Sequence, residues 1–156
     1  MSYVTTPTVG VDLTATPTTP EFALGTIVNA NDGVYQYVHA DGAIAQYALV
    51  KIDNSWEAAE GTTTLLPSTE PSAVGIAQVA FADNDYGWVF IGPGEASVLA
   101  LTLCVHDVKI YTTATAGAVD DTSTTLINGL KLKTTVGGAT AATGCVATTR
   151  LATVAA

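Results

Sequence analysis

Two histidines, two cysteines and 14 acids are the residues this chain offers for acid–base, nucleophilic or metal chemistry. His39 and His106 could each serve as a general base. Neither has a serine or cysteine spaced as a triad would need, and Gly-x-Ser-x-Gly, a phosphate loop and His-Glu-x-x-His are all absent. Cys104 and His106 are two apart, so on a strand they would share one face and could share a metal, with Cys145 and His39 completing the set. Structural zinc sites use two close pairs, and only one exists here, which favours a core cysteine beside a hydrogen-bonded histidine. Asp83-Asn84-Asp85 opens like a calcium loop, but the sixth and twelfth positions hold Trp88 and Gly94 rather than Gly and Glu. An acidic turn explains it better, and Asp120-Asp121 reads as a solvated loop. Two cysteines set among apolar or small residues read as buried free thiols rather than a disulfide framework. The expectation is a chain with no catalytic residue, no cofactor and no metal.

Tyr86, Trp88 and Phe90 alternate, so they should line one face of a strand. They are read as bulky core anchors or as candidate subunit-interface residues, where Tyr and Trp are enriched. Residues 1–20 are a second distinctive stretch. Pro7, Pro17 and Pro20 exclude a helix there, and Val9 to Leu13 alternate as a short strand would. So apolar-poor a segment is either a disordered tail or an extended arm that orders on a neighbouring chain, and the arm would bind through Tyr3, Val4, Val9, Val11 and Leu13.

Positioning these residues falls to short strands. Leu24 to Val28 and Val34 to Val38 flank Asn31-Asp32-Gly33, a strong hairpin signal, and a second Asp-Gly follows at Asp41-Gly42. Residues 43–52 suit strand or helix. Asn54 and Glu57 resemble a capping box before Gly61, predicting one or two helical turns over 54–60. Further strands are predicted at 73–82, 87–92, 96–106, 107–112, 126–133 and 144–151. Val50-Lys51-Ile52 and Val108-Lys109-Ile110 lie 58 residues apart, each followed by a Gly-containing apolar run, a faint echo that a duplicated β unit would give and that chance in so Thr-, Val- and Ala-rich a chain would give as readily.

Composition agrees. Apolar residues make up 48% of the chain and aromatic ones 7%, while 26 threonines fill polar positions and favour pleated surfaces. The predicted fold is all-β: one small antiparallel barrel or sandwich (a jelly roll being the alternative) over residues 21–156, preceded by the arm at 1–20, with at most one short helix. A net charge of −9 argues against nucleic acid or anionic membrane as partner. The Met-Ser-Tyr-Val-Thr-Thr-Pro start has no basic or apolar signal-peptide region, so synthesis in a cytoplasm is expected.

A resemblance sharpens the reading. Val34-Tyr-Gln-Tyr-Val38, Asp41-Gly-Ala-Ile-Ala45, Val50-Lys-Ile52, Val74-Gly-Ile-Ala-Gln78, Tyr86-Gly-Trp-Val89 and Tyr111-Thr-Thr-Ala-Thr-Ala-Gly117 follow one another in an order similar to that in the capsid decoration (cement) proteins of tailed bacteriophages. The likeness covers just over half the chain. It implies a structural protein of the virion, made in the bacterial host cytoplasm and bound outside the capsid. Its partners would be the major capsid protein and itself, as a homotrimer at local three-fold axes. Another virion β module (a fibre, a spike or a carbohydrate-binding domain) is the alternative. A small hydrolase resting on His39 or His106 is a further one. A shell subunit fits less well, because no long helix is in prospect.

Overall fold

The computed structural model describes residues 11–138 and 141–155. They form ten strands in one sheet and no helix: β1 (Ile27–Asn29), β2 (Gly33–Ala40), β3 (Leu49–Ile52), β4 (Glu57–Glu60), β5 (Ala73–Ala77), β6 (Tyr86–Ala100), β7 (Ile110–Thr112), β8 (Val119–Asp120), β9 (Leu126–Leu132) and β10 (Ala141–Thr153). The all-β reading holds. No helix is long and apolar enough to cross a membrane among the described residues.

The first Asp-Gly signal makes the expected hairpin. β1 and β2 pair antiparallel with Asn29 opposite Val34, and the Ala30 amide donates to the Gly33 carbonyl at 2.7 Å. The second Asp-Gly does not return the chain onto β2, because the Asp41 amide donates to Ala58 on β4 instead. The predicted helix at 54–60 is replaced by a turn and β4. Asp53, not Asn54, is the capping side chain: its Oδ1 accepts from the amides of Ser55 and Glu57 at 2.8 and 2.9 Å. That closes a tight Asx-type turn, with Trp56 at φ 65°, and sends the chain back as a strand. Residues 87–92 and 96–106, expected as two strands, become the single long β6, which passes through the cis Gly92–Pro93 bond and ends at Ala100.

Strand order is β1-β2-β4-β3-β5-β10-β6-β8-β7-β9, and it contains one motif twice. In the first unit β2 pairs parallel with β4, β4 antiparallel with β3, and β3 antiparallel with β5. In the second unit β6, β8, β7 and β9 repeat those pairings in the same order and sense. Registers match about 60 residues apart: Ala40 faces Ala58 as Ala100 faces Val119, and Lys51 faces Ala59 as Tyr111 faces Asp120. Local details match too. Tyr47 and Asp107 both have positive φ, at 68° and 58°, as do Trp56 and Gly117, at 65° and 70°. Ala45 N–H donates to Glu60 Oε1 as Val105 N–H donates to Asp121 Oδ2. The duplication of which the sequence carries only a faint sign is therefore present, but its match is displaced. Val50-Lys51-Ile52 corresponds to Ile110-Tyr111-Thr112, not to Val108-Lys109-Ile110.

The middle of β2 and the first half of β6 are buried on both faces. Tyr35, Tyr37, Trp88 and Phe90 point into the larger core with Leu49, Val98, Ile110 and Leu151. Val38, Val89 and Ile91 point the other way, into a smaller core with Ile44, Val50, Ile52 and Phe81. Burial of this much Val, Leu and Ile, at about 25 cal/mol per Å² of apolar surface, is the main source of stability.

Candidate functional surfaces

The aromatic trio lies along the N-terminal half of β6 and shares a face, as its alternation requires. That face is internal. Trp88 is 2% exposed and Phe90 fully buried; Phe22 packs on Trp88 with ring centroids 5.3 Å apart, and Tyr35 meets Phe90 edge-on at 5.7 Å. The subunit-interface expectation for Trp88 and Phe90 is thus corrected: β2, antiparallel to β6, supplies the aromatic partners that another subunit would have supplied. Tyr86 is half-buried and stacks between Tyr37 and His39.

A second correction concerns the arm. Val11 and Leu13 are 8% and 9% exposed and belong to the larger core of their own chain. The Pro17 carbonyl accepts from Tyr86 N–H at 2.8 Å, at the start of β6. The apolar alternation of this stretch is satisfied internally, so Val11 and Leu13 are not available to a neighbour. Tyr3, Val4 and Val9 lie outside the described residues.

The chemistry-bearing residues are dispersed. His39 Nδ1 stands 3.7 Å from Glu57 Oε1, and its ring tilts on Tyr86. His106 is exposed on the loop after β6, with Nδ1 3.1 Å from Asp107 Oδ2. Cys104 is buried while His106 points to solvent, so the two do not share a face: residues 101–109 form a loop, not the strand the spacing assumed. The Cys104 thiol meets acids instead. Its sulfur and carboxylate oxygens of Asp120 and Asp121 all lie within 4.8 Å of one another. Burial pushes that thiol up to about 11, with Asp121 and Asp120 adding to the effect. Cys145 is pushed up to about 12, chiefly by burial. Both are neutral and poorly nucleophilic at neutral pH. The Asp83-Asn84-Asp85 turn ties its carboxylates to the main chain, Asp83 accepting from Gly42 N–H and Asp85 from Ala82 N–H.

The surface carries two features that the sequence reading missed. An open groove of about 560 Å³ is lined by Lys51, Asp53, Trp56, Glu70 and Arg150. Arg150 is the chain's one arginine, and its Nη2 donates to the buried Gln36 at 2.9 Å. Trp56 lies across Gly25, where an added β-carbon would come within 2.6 Å of the indole. The second feature is an apolar loop, on which Leu103 is 68% exposed, with Val105 and Val108 beside it. Local sequence does not show the groove, since pairing brings its residues together from distant parts of the chain, and hydropathy along 103–108 does not show that its apolar side chains stay exposed. Comparison with family models, with curated proteins and with solved structures finds no match for this chain.

Proposed function

We propose that the chain is a non-enzymatic capsid decoration protein of a tailed bacteriophage, bound to the outer surface of the major capsid shell as a homotrimer at local three-fold axes. The observation that carries the reading is the agreement between the resemblance and the fold. Four of the six blocks quoted for it fall on β2, β3, β5 and β6, the last runs from β7 into the β7–β8 turn, and Asp41–Ala45 lies on the loop after β2, where Ile44 enters the smaller core. Two further observations support it. Because β9 also pairs with β10, nine of the ten described strands have at least two hydrogen-bonded neighbours, leaving the three-residue β1 with one, which suits a module that must hold its shape under load. An acidic exterior, at net charge −9, keeps such a protein dispersed before assembly. Attachment in this reading uses the domain surface rather than Val11 and Leu13. The test is co-sedimentation of the purified chain with empty expanded shells of the capsid protein from the same genome. Saturable binding is expected, and a chain left wholly in the supernatant at micromolar concentration would overturn the proposal.

The Trp56 groove favours one second reading, a carbohydrate-binding virion module, because an indole flanked by Arg, Lys and acids suits sugar stacking with hydroxyl hydrogen bonds. Glycan-array binding that is lost in Trp56→Ala would select it.

A further inference from the structure

The two units give the molecule an internal control, since one surface occurs twice and is covered once. In the first unit the surface at 47–49 and 61–63 is covered by the second unit. Leu99 N–H donates to the Tyr47 carbonyl at 2.8 Å, and Leu49 N–H donates to the Gly117 carbonyl at 2.7 Å. Gly117 N–H donates to the Gly61 carbonyl at 3.0 Å, and Thr63 N–H to the Thr113 carbonyl at 2.8 Å. The contact is made through main chain, and a glycine is required at its centre. A β-carbon on Gly117 would lie 2.6 Å from that of Ala48.

The same surface recurs in the second unit at 107–109 and 122–124, and there it is bare. Ala48, Leu49 and Gly61 are buried, whereas their counterparts Val108, Lys109 and Thr122 are exposed, Val108 by 38%. The Asp107 and Thr122 carbonyls and the Lys109 and Thr124 amides make no main-chain hydrogen bond among the described residues. These are the four groups that stand where Tyr47, Gly61, Leu49 and Thr63 stand in the covered copy. Leu103 and Val105 extend the patch with exposed apolar surface, where the first unit has only Ala43 and Ala45. The fold does not require these larger side chains, because the first unit forms without them.

We infer that the 107–109/122–124 surface is a docking site for a glycine-bearing loop of a different polypeptide, held by main-chain hydrogen bonds as the 112–118 segment is held in the first unit. In a second copy of this chain, neither the equivalent loop nor its counterpart in the first unit is free to serve. Its own Gly117 is engaged with its Ala48. The counterpart in its first unit is Trp56, whose carbonyl accepts from His39 N–H and whose amide donates to the Asp53 carbonyl. An indole also stands where the contact needs hydrogen. The inference holds whether or not the partner is a capsid subunit.

The known occupant supplies the probe. A synthetic peptide of residues 111–119 is titrated into the intact chain and followed by amide NMR shifts, up to about 5 mM because a short flexible peptide loses much of its binding energy to ordering. Saturable shifts confined to the 107–109 and 122–124 amides are expected. A peptide with valine at the glycine position should bind at least about tenfold more weakly, since its β-carbon meets Val108. Three results would overturn the inference: no shift at these amides, equal binding of both peptides, or shifts there that appear on concentrating the protein alone.

Discussion

Gly117 packs so closely on Ala48 that even a methyl group at that position would put two β-carbons 2.6 Å apart. The contact joins the two β units, and Gly117 also holds φ at +70°, where other residues are strained. Gly117→Val should therefore lower stability by about 2–4 kcal/mol through steric clash and backbone strain together. Urea unfolding checks it, with Gly137→Val as control, because nothing lies within 4 Å of that glycine.

Trp88→Phe should cost about 1–3 kcal/mol through the cavity it leaves among Phe22 and Tyr37, without changing the sedimentation coefficient of the folded protein. Equilibrium unfolding together with sedimentation velocity separates the two effects. A changed oligomeric state at unchanged stability would return Trp88 to an interface role.

Leu13→Ala should destabilise the isolated domain by about 2–3 kcal/mol, because Leu13 is buried in the core of its own chain. Thermal unfolding of the purified variant is the check. A stability equal to that of the parent would mean that this side chain serves a neighbour after all.

Stability should fall as pH rises above about 9, the ordinary thiol value. Burial raises the folded-state value of Cys145 to about 12 and that of Cys104 to about 11, so the unfolded chain loses its thiol protons first. The full contribution is present below pH 9 and is lost progressively up to the folded values. The slope is at most about 1.4 kcal/mol per pH unit for each thiol. Tyr35, also raised by burial and by Asp32, acts in the same sense. Urea midpoints measured between pH 8 and 11 should decline less steeply in Cys145→Ala than in the parent.

How much of this was legible depended on the range of the interaction. Asp32-Gly33 announced the β1–β2 hairpin because a tight turn is encoded within four residues. The shared face of Tyr86, Trp88 and Phe90 was equally local, since a strand alternates. What covers that face was not, because Tyr35 and Tyr37 arrive from β2 through pairing across about 50 residues of sequence. The helix expected at 54–60 failed for a similar reason. Asn54 and Glu57 carry a capping pattern, but Asp53 takes the two amides and β2 and β3 receive the emerging strand. The repeat left only a trace in sequence, matched two residues out of place. Its conserved features are turn geometry and main-chain bonds, which Tyr47 and Asp107, or Trp56 and Gly117, supply with unlike side chains. For the docking surface the sequence shows only that 103–108 is partly apolar, and its exposure and its unpaired main chain emerge from comparison of the two folded units.

The most direct measurement of the proposed role is electron microscopy of the purified phage particle at residue resolution. Decoration predicts that density for this ten-stranded domain sits on the outer face of the capsid, in three copies around local three-fold axes. A fully traced shell with no such density outside it, or the domain found on a tail fibre, would contradict the account.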